Sequence, residues 1–427
     1  MASGGIRLKL YRQFHRGLIQ KKVLPCFFSA DRMRVGTATS RAEILQSADR
    51  IWFHAASVGE LESLWTVIAG WLELGKEAVI TVFSESARSQ LLKLEQELAG
   101  KPGRIVYVGY SPWEGNWKES LEDYRPVAFI TAKYEAWPEL WASLSELKIP
   151  LMIAGARARS SLRLAKRLCL LLGRPLPALV LLTATEADDK PLRKIFPKAR
   201  VRTIGESRWD RVKQRLEKGS PRAQELFASC AKLPKPWGVM GSVWPEDLKF
   251  WGPRLNEVPG TLWIVPHRVD PRSIDKISTI LKQQGTTFEV SSAFMVGQTG
   301  AKVILVNEMG FLSELYGAAS WSFVGGGFGE GVHSTIEPAI AGIPIAVGPK
   351  GTSKFTEIAE LAETGQVAIV RRSEDLDRWL TELRESLAQL AKSLGPAQWP
   401  AKWKEQARQR LGATSRTLQE VMDLVQR

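Results

Sequence analysis

The chain has 427 residues, of which 44% are hydrophobic and 24% charged, a composition typical of a globular protein with room for two domains. No stretch approaches about eighteen consecutive apolar residues, so the sequence predicts no transmembrane helix. Its three cysteines, Cys26, Cys169 and Cys230, lie far apart, which argues against a disulfide framework and fits a reducing cytoplasm. The net charge of +14 favours a polyanionic partner, with a functionally silent basic surface as the alternative.

The N-terminal stretch has a helical pattern with an apolar and a basic face. These faces are formed by Ile6, Leu10, Phe14 and Leu18, and by Lys9, Arg12 and Arg16. The pattern predicts a basic amphipathic helix that binds an anionic membrane surface. The alternative is a helix that packs on its own domain.

Two series of short apolar runs alternate with helical patterns. The first comprises Ile51–Ala56, Ala78–Phe83, Arg104–Val108, Val127–Ala132, Pro150–Ala154, Ala178–Leu182 and Val201–Ile204. The second comprises Trp237–Val243, Thr261–Val265, Val303–Val306, Trp321–Gly325, Pro344–Val347 and Val367–Val370. Apolar runs separated by helices are typical of parallel strands that are covered on both faces. The predicted fold class is therefore α/β, with two doubly wound, Rossmann-like domains.

A charged segment, Arg211–Pro236, separates the two series and ends in Lys-Leu-Pro-Lys-Pro. It predicts a helix followed by an interdomain linker. We therefore expect an N-terminal domain over residues 1–217 and a C-terminal domain over residues 218–427, which ends in a helical tail. Each domain is expected to bind a substrate in the crevice beyond its strand ends.

Carboxylates follow two predicted strands of the first domain. In the segment His54-Ala-Ala-Ser-Val-Gly-Glu60, Glu60 lies in the first turn of the next helix, where the helix dipole favours its ionised form. Such a carboxylate can act as a general base, although a helix cap is the simpler interpretation. Glu135 follows the strand Val127–Ala132 in the same way, with a solvated loop carboxylate as the alternative. Arg157 and Arg159 precede another helix beside two serines, which is a plausible phosphate site.

The most distinctive segment of the second domain is the glycine-rich stretch Phe323–Pro344. Glycines after a strand let backbone N–H groups approach a phosphate, and the next helix N-terminus favours the anion. Glu337, further along, can accept hydrogen bonds from ribose hydroxyls. The spacing matches neither GxGxxG nor GxxxxGK[ST], which disfavours dinucleotide binding and ATP hydrolysis. A purely structural role for the glycines is the alternative.

Three of the four histidines, His54, His267 and His333, lie in these segments. His267 and Arg268 follow the strand Thr261–Val265 and offer hydrogen-bond donors to a phosphate. The histidines do not have the spacing of metal ligands, and no HExxH motif occurs, so we predict no catalytic metal.

Taken together, these segments resemble the Kdo transferase family, which attaches 3-deoxy-D-manno-octulosonic acid (Kdo) to a lipid A precursor. The similarity extends from about Ile51 to Ile358. Phe323–Pro349 is similar to the family's FVGGSLxxxGGHNxLEPAxxGxPVxxGP segment in order and spacing. Shorter segments follow in the family's order: His54–Glu60 (HxxSVGE), Lys133–Pro138 (E/K-x-E-x-W-P), Ala154–Ser161 (NARxSxRS), Gly205–Asp210 (GNxKFD), Pro266–Arg268 (Pro-Arg-His or Pro-His) and Asn307–Tyr316 (DTMGEL…Y).

The resemblance implies a GT-B fold and an inverting transfer of Kdo from CMP-Kdo to the lipid A precursor, without a metal or another cofactor. Glu60 matches the family's general base. The positions that match the CMP contacts are His267, Arg268, Met309, Gly310, Phe311, Ser334, Thr335, Ile336 and Glu337. We assign acceptor binding to Ser57, Gly59, Glu135 and Arg157. The implied location is the cytoplasmic face of the bacterial inner membrane, with peripheral attachment and no nucleic-acid partner.

Several turns around the expected donor site depart from the family pattern. The family's Thr-rich turn ending in Thr-Gly is here Phe83-Ser-Glu-Ser-Ala87, and its Ser-Thr-His turn is Gly241-Ser-Val-Trp244. Its Gly-Gly-His-Asn is Gly331-Val-His-Ser334, and its Gly-Glu after Met is Gly310-Phe311. These departures leave two alternatives open. One is another nucleotide-sugar-dependent GT-B enzyme, such as a hexosaminyl transferase or an epimerase, and the other is a non-catalytic homologue. A nucleic-acid-binding protein is disfavoured because the sequence has no RRM, KH, zinc-finger or helix-turn-helix signature.

Overall fold

The computed structural model describes residues 49–426, except 113–115, 134, 220, 231–232, 292–300, 393–398 and 400. Two units emerge from the contacts within the chain, residues 49–211 with 410–426 and residues 212–409. The predicted N-terminal amphipathic helix lies outside the described residues. Within the described part, no helix has both the length and the apolar character needed to cross a membrane.

The first unit is built on a seven-stranded parallel sheet in the order β3-β2-β1-β4-β5-β6-β7. The strands are β1 (Arg50–Ala55), β2 (Glu77–Val82), β3 (Arg104–Tyr110), β4 (Ala128–Ala132), β5 (Leu151–Ala154), β6 (Leu179–Thr183) and β7 (Arg200–Thr203). The helices are α1 (Val58–Glu73), α2 (Arg88–Leu98), α3 (Trp117–Tyr124), α4 (Pro138–Glu146), α5 (Ser160–Leu171), α6 (Glu186–Ile195) and α7 (Arg208–Lys218), which spans the boundary between the units. Successive side chains of β1 enter two apolar clusters, Ile51 and Phe53 in one and Trp52 in the other, as expected of a sheet covered on both faces.

The second unit repeats this plan with a sheet in the order β10-β11-β9-β8-β12-β13-β14, again parallel throughout. Its strands are β8 (Trp237–Val243), β9 (Thr261–Pro266), β10 (Phe288–Ser291), β11 (Val303–Val306), β12 (Trp321–Val324), β13 (Ile345–Val347) and β14 (Val367–Ile369). Its helices are α8 (Pro221–Cys230), α9 (Pro245–Trp251), α10 (Pro271–Gln283), α11 (Leu312–Ala318), α12 (Ile336–Ala341), α13 (Thr356–Glu363), α14 (Ser373–Lys392) and α15 (Ala401–Gln409). The last helix of the chain, α16 (Ala413–Val425), belongs to the first unit.

The strand order of each sheet reverses at one point, between β1 and β4 in the first unit and between β8 and β12 in the second. Open parallel sheets bind ligands beyond the carboxyl ends of the strands at such a reversal. The segments that follow these four strands are therefore the places where a site is expected. They contain Glu60 and Glu135 in the first unit, and Trp244 and the glycine-rich turn in the second.

The predicted α/β class with two doubly wound units is confirmed, including all seven strands of the first sheet and six of the second. Strand β10 was missed because its four residues alternate at the edge of the sheet and form no continuous apolar run. The domain boundaries also differ from the prediction. The first unit ends at Arg211, and the helical tail packs on it rather than on the second unit.

Contacts of α16 explain why the chain returns to the first unit. Val421 of α16 is buried in the cluster that includes α1. The carboxylate of Asp210 accepts the N–H groups of Gly412 and Thr414 at 2.6 and 2.7 Å. These contacts join segments about two hundred residues apart. A local sequence pattern therefore could not show them.

Candidate active site

Glu60 is the third residue of α1 and lies directly beyond the end of β1. Its Oε2 accepts the backbone N–H groups of Ala56 and Ser57 at 2.7 and 3.2 Å. Burial raises the pKa of Glu60, and the two N–H groups and the charge of Lys133 oppose that rise. Glu60 therefore does cap α1, as the simpler interpretation held. The same contacts fix its carboxylate at the switch point of the sheet.

Glu135 is brought close to Glu60, as the positions after β1 and β4 predict. Its Oε2 accepts a hydrogen bond from Trp137 Nε1 at 2.6 Å. Burial, and then the negative charge of Glu60, raise the pKa of Glu135 to about 7. This carboxyl is not a solvated loop group. Below pH 7 it retains its proton while it lies beside Glu60.

His54 completes this group from β1. Its ring is fully buried, Nδ1 lies 3.0 Å from Thr81 Oγ1, and Nε2 lies 3.9 Å from Glu135 Oε2. Burial lowers the pKa of His54 to about 3, so the imidazole is neutral at physiological pH. Nε2 has no hydrogen-bond partner among the described residues. The ring is thus oriented by Thr81 and directs Nε2 to the side where Glu135 lies.

Two other positions complete the surroundings of Glu60. Lys133 directly follows β4 and has a φ of 63°, a left-handed conformation that is rare for a residue with a side chain. Gly59 occupies an open position, because a Cβ there would meet no atom within 4 Å. The folded unit therefore does not require glycine at position 59.

The predicted acceptor residues are only partly brought together. Ser57 and Gly59 share the turn that holds Glu60, and Glu135 lies beside it. Arg157 instead pairs with Asp188, with its Nε 3.3 Å from Oδ1. No contact in the described structure joins Arg157 to the carboxylate pair.

In the second unit, three rings from separate loops form a stack beyond the strand ends. The rings of Trp244 and His267 lie 4.8 Å apart, and those of His267 and His333 lie 4.5 Å apart. Burial lowers the pKa of both histidines, that of His333 to about 4, and the neighbouring Arg268 and His267 add to the respective shifts. The histidines are therefore neutral at physiological pH. They can offer N–H donors to a ligand but no charge.

A cavity of about 510 Å³ lies beside this stack. Trp244, His267 and Arg268 line it, together with Lys276 of α10 and Lys350. Sequence reasoning identified His267 and Arg268 but missed the two lysines, because neither stands in a motif. Cationic side chains beside aromatic rings suit a ligand that combines negative charge with apolar surface.

Asp247 holds the glycine-rich turn in place and was also missed. It is the third residue of α9, and its carboxylate accepts the N–H groups of Trp244, Gly326 and Phe328 at 2.8, 2.7 and 3.3 Å. Glycine is needed in this turn because a Cβ on Gly325 would lie 2.5 Å from the Ser242 carbonyl oxygen. The structural interpretation thus holds for this part of the turn. The sequence did contain a signal for Asp247: it is an acidic residue at the third position of a helix that follows a strand. Glu60 occupies the same position in the first unit.

The remaining predicted donor residues differ in what they expose. Met309 is exposed, and Gly310 adopts a φ of 111°. Phe311, Thr335 and Ile336 are buried, so none of them presents a side chain to a ligand in this structure. Glu337 Oε1 accepts a hydrogen bond from Ser313 Oγ at 2.5 Å and lies 3.6 Å from Arg215 Nη1. The structure holds Glu337 in place on α12, and its role toward ribose stays a prediction.

Among the residues that the structure describes, no three or more His, Cys, Asp or Glu side chains lie close enough together to hold a metal ion. The absence of a metal from the reaction stays a prediction.

We expect the Glu135→Gln variant to lose a titration near pH 7 that the wild type shows. Burial and the Glu60 charge keep Glu135 protonated at lower pH, and an amide cannot ionise. Infrared spectroscopy of the protonated carboxyl band between about pH 5 and pH 9 measures this titration. Glu60→Gln should move it to lower pH, because it removes one of the two causes of the raised pKa. A wild-type spectrum without a carboxyl that titrates above about pH 6 would contradict the coupling.

We expect Asp247→Asn to lower the thermal stability of the second unit. The amide cannot accept all three N–H groups that the carboxylate accepts, and a hydrogen bond to a charged group contributes about 1.5–3 kcal/mol. Differential scanning calorimetry measures the loss as a fall of several degrees in Tm. Glu246→Gln, which removes the same charge one residue earlier, serves as the control. Equal Tm values for the two variants would contradict the role of Asp247.

Comparisons with known proteins show which families this chain resembles. Residues 30–211 match the family model described as 3-deoxy-D-manno-octulosonic-acid transferase (kdotransferase). The chain is 27% identical to the 3-deoxy-D-manno-octulosonic acid transferase of Aquifex aeolicus over 340 residues, which are 78% of this chain and 85% of the relative. It is 26% identical to the enzyme of the same name from Bordetella pertussis over 408 residues, 91% of this chain and 90% of the relative.

Solved structures resemble the chain in fold. UDP-GlcNAc 2-epimerase from Neisseria meningitidis aligns with a TM-score of 0.56 and 15% identity, over 88% of this chain and 99% of that protein. The UDP-N-acetylglucosamine 2-epimerase of Rickettsia bellii aligns with a TM-score of 0.53 and 14% identity, over 89% and 98%. At this identity the likeness concerns the fold alone, and it agrees with the expected GT-B architecture. The resemblance to the Kdo transferase family is confirmed by these sequence relatives, to which the chain is similar over most of its length.

Proposed function

We propose that the chain transfers Kdo from CMP-Kdo to a lipid A precursor, with inversion and with Glu60 as the general base. The sequence relatives named Kdo transferases support the reaction class. The observation that carries the proposal is the position of Glu60, a buried carboxylate held by two backbone N–H groups at the switch point of the first sheet. This is where an open parallel sheet presents catalytic groups to a ligand.

On the acceptor side, Glu60 and Glu135 can supply a proton acceptor and a hydrogen-bond donor to the attacking hydroxyl. Burial raises the pKa of Glu60, which makes its carboxylate a better base, and the N–H groups of Ala56 and Ser57 and the charge of Lys133 oppose that rise. The ionised form can accept the proton of the attacking hydroxyl. Glu135 retains its proton to about pH 7 and can donate a hydrogen bond to the same acceptor. We therefore assign positioning of the acceptor to Glu135, together with Ser57 and Gly59 of the turn that holds Glu60.

On the donor side, positive side chains outnumber negative ones around the cavity of the second unit, which suits a nucleotide-linked acidic sugar. CMP-Kdo carries a phosphate and a sugar carboxylate; Arg268, Lys276 and Lys350 line the cavity, and the carboxylates that line it are Glu246 and Glu330. Because His267 and His333 are neutral, these three side chains supply the positive charge of the cavity. A cation beside the leaving phosphate stabilises the charge that develops as the sugar departs. Glu337 is assigned to the ribose hydroxyls.

Attachment to the cytoplasmic face of the inner membrane belongs to the same proposal. The acceptor is a lipid, and the net charge of +14 suits an anionic surface. The predicted amphipathic helix near the N-terminus would supply one contact. The rival function is a nucleotide-sugar epimerase, for which the similar solved structures offer support only at the level of the fold.

We expect Glu60→Gln to reduce transfer by about 10²–10⁴-fold and to leave CMP affinity unchanged. Glutamine can still accept the N–H groups of Ala56 and Ser57, so the helix cap is retained while the base is lost. Mass spectrometry of a lipid A precursor incubated with CMP-Kdo measures the product. Glu73→Gln, at the other end of α1, is the matched control, and added EDTA should have no effect. Near wild-type turnover in Glu60→Gln would exclude Glu60 as the base.

We expect the full chain to bind CMP more tightly than UMP or GMP. Arg268→Gln should weaken CMP binding by about tenfold or more, because a hydrogen bond to a charged partner is lost. Isothermal calorimetry measures both effects. Arg272→Gln is the control, since it removes a positive charge four residues away that does not line the cavity. Equal affinity for UMP and CMP would favour the epimerase-like alternative.

A further inference from the structure

Glu337, the residue assigned to the ribose hydroxyls, is held by side chains from two neighbouring helices. The Ser313 hydroxyl of α11 donates to Glu337 Oε1 at 2.5 Å. Arg215 of α7 donates from Nη2 to the same Ser313 oxygen at 3.2 Å, and its Nη1 lies 3.6 Å from Glu337 Oε1. A guanidinium can only donate and a carboxylate can only accept, so the hydroxyl between them accepts from Arg215 and donates to Glu337.

Packing between helices brings these three side chains together. Ser313 and Glu337 are each the second residue of their helix, α11 and α12. Leu216 of α7 lies beside α11, because a Cβ on Gly317 would lie 3.9 Å from Leu216 Cδ2. Gly317 is one helical turn after Ser313, and Arg215 is the neighbour of Leu216. The contact between α7 and α11 therefore places the guanidinium beside the hydroxyl.

The two carboxylate oxygens of Glu337 differ in their surroundings. Oε1 faces Ser313 and Arg215, whereas Oε2 makes no hydrogen bond with any residue that the structure describes. The side chain of Glu337 is 21% exposed, so it is accessible to a ligand. A carboxylate accepts hydrogen bonds through both oxygens when both are available. In this structure Glu337 offers one of them, Oε2, to a hydroxyl donor.

Ser313 and Arg215 contribute to this arrangement in different ways. The Ser313 side chain is buried, and a hydroxyl that accepts from a charged donor is itself a stronger donor. Arg215 is the only cation within 4 Å of the Glu337 carboxylate in the described part of the chain. Because the Arg215 side chain is 37% exposed, water screens its charge, and its effect is expected to be the smaller of the two.

We propose that Arg215 and Ser313 are positioning residues, which hold Glu337 Oε1 so that Oε2 alone binds one of the two ribose hydroxyls of the nucleotide. The proposal rests on the assignment of Glu337 to ribose in the proposed function, and it adds which oxygen binds and what fixes it. A carboxylate that is free to turn can bind both hydroxyls of a ribose, one with each oxygen. With Oε1 occupied, the second hydroxyl contributes little to affinity.

A purely structural role is the alternative, in which Arg215 and Ser313 only fasten α7 to α11. Removing either side chain would then loosen the second unit and weaken the binding of every nucleotide by the same factor. A ratio of affinities between nucleotides that differ in one hydroxyl separates the two roles, because a common factor cancels in the ratio.

Isothermal calorimetry with the full chain measures the affinities for CMP, 2′-deoxy-CMP and 3′-deoxy-CMP. In the wild type, one deoxy analogue should bind about tenfold more weakly than CMP, because a hydrogen bond to a charged group is lost, and the other should bind within about twofold of CMP. Ser313→Ala should reduce the difference between the analogues to about twofold, because Glu337 can then use both oxygens. Arg215→Gln should reduce the difference by about threefold.

Lys213→Gln is the matched control, since it removes a positive charge from the same helix, where Lys213 pairs with Glu217. It should leave the ratio unchanged. The proposal is overturned if the wild type binds both deoxy analogues as tightly as CMP, or if it loses affinity equally for both. It is also overturned if Ser313→Ala or Arg215→Gln lowers all three affinities by one common factor. Thermal unfolding checks that each variant folds, and Arg215→Gln changes a partly exposed side chain should Ser313→Ala not fold.

Uridine nucleotides keep this proposal distinguishable from the proposed function, because UMP and its 2′- and 3′-deoxy forms carry the same sugars. If the chain binds UMP more tightly than CMP, the assignment of CMP-Kdo as donor fails. An unequal response to the two deoxy forms of UMP, reduced by Ser313→Ala, would still support the positioning role. Conversely, transfer of Kdo to the lipid A precursor together with an equal response to both deoxy nucleotides would support the reaction and overturn the role of Arg215 and Ser313.

Discussion

Both units depend on a buried carboxylate that accepts backbone N–H groups where the first strand of the sheet passes into its helix. Glu60 and Asp247 are each the third residue of that helix, and each accepts the N–H of the residue three positions before it. Each side chain thereby fixes the turn at the switch point, where a parallel sheet places its ligands. Burial raises the pKa of both carboxyls, and the N–H groups oppose that rise because they replace part of the hydrogen bonds that water would make.

The same arrangement leads to different chemistry in the two units. Asp247 accepts three N–H groups and joins α9 to the glycine-rich turn, so its oxygens serve the fold. Glu60 accepts N–H groups from its own turn and lies beside a second carboxyl whose pKa it raises. A pair of carboxyls with separated pKa values is a common source of acid and base roles in enzymes. This contrast favours a catalytic role for Glu60 and a positioning role for Asp247.

Local pattern predicted the sheets and the positions of Glu60 and Glu135, because parallel strands place their carboxyl ends at one edge. The sequence could not predict that Glu135 would be buried, and its raised pKa depends on that burial. The stack of Trp244, His267 and His333 joins three loops spread over ninety residues, and no spacing rule connects them. Likewise, the apolar pattern of α5 predicts a helix but not which of its leucines face outward.

The cavity of the second unit combines two uncharged histidine rings with side chains that carry a permanent positive charge. Burial lowers the pKa of both histidine rings, so they are uncharged at neutral pH, and the positive charge of the cavity comes from Arg268, Lys276 and Lys350. A site for a phosphorylated ligand needs charge that is fixed within a cavity, and arginine and lysine supply such charge at every pH in the neutral range. Neutral imidazole rings beside them add hydrogen-bond donors and a flat surface without adding charge. The second unit therefore separates the attraction of an anion from the contact with its rings.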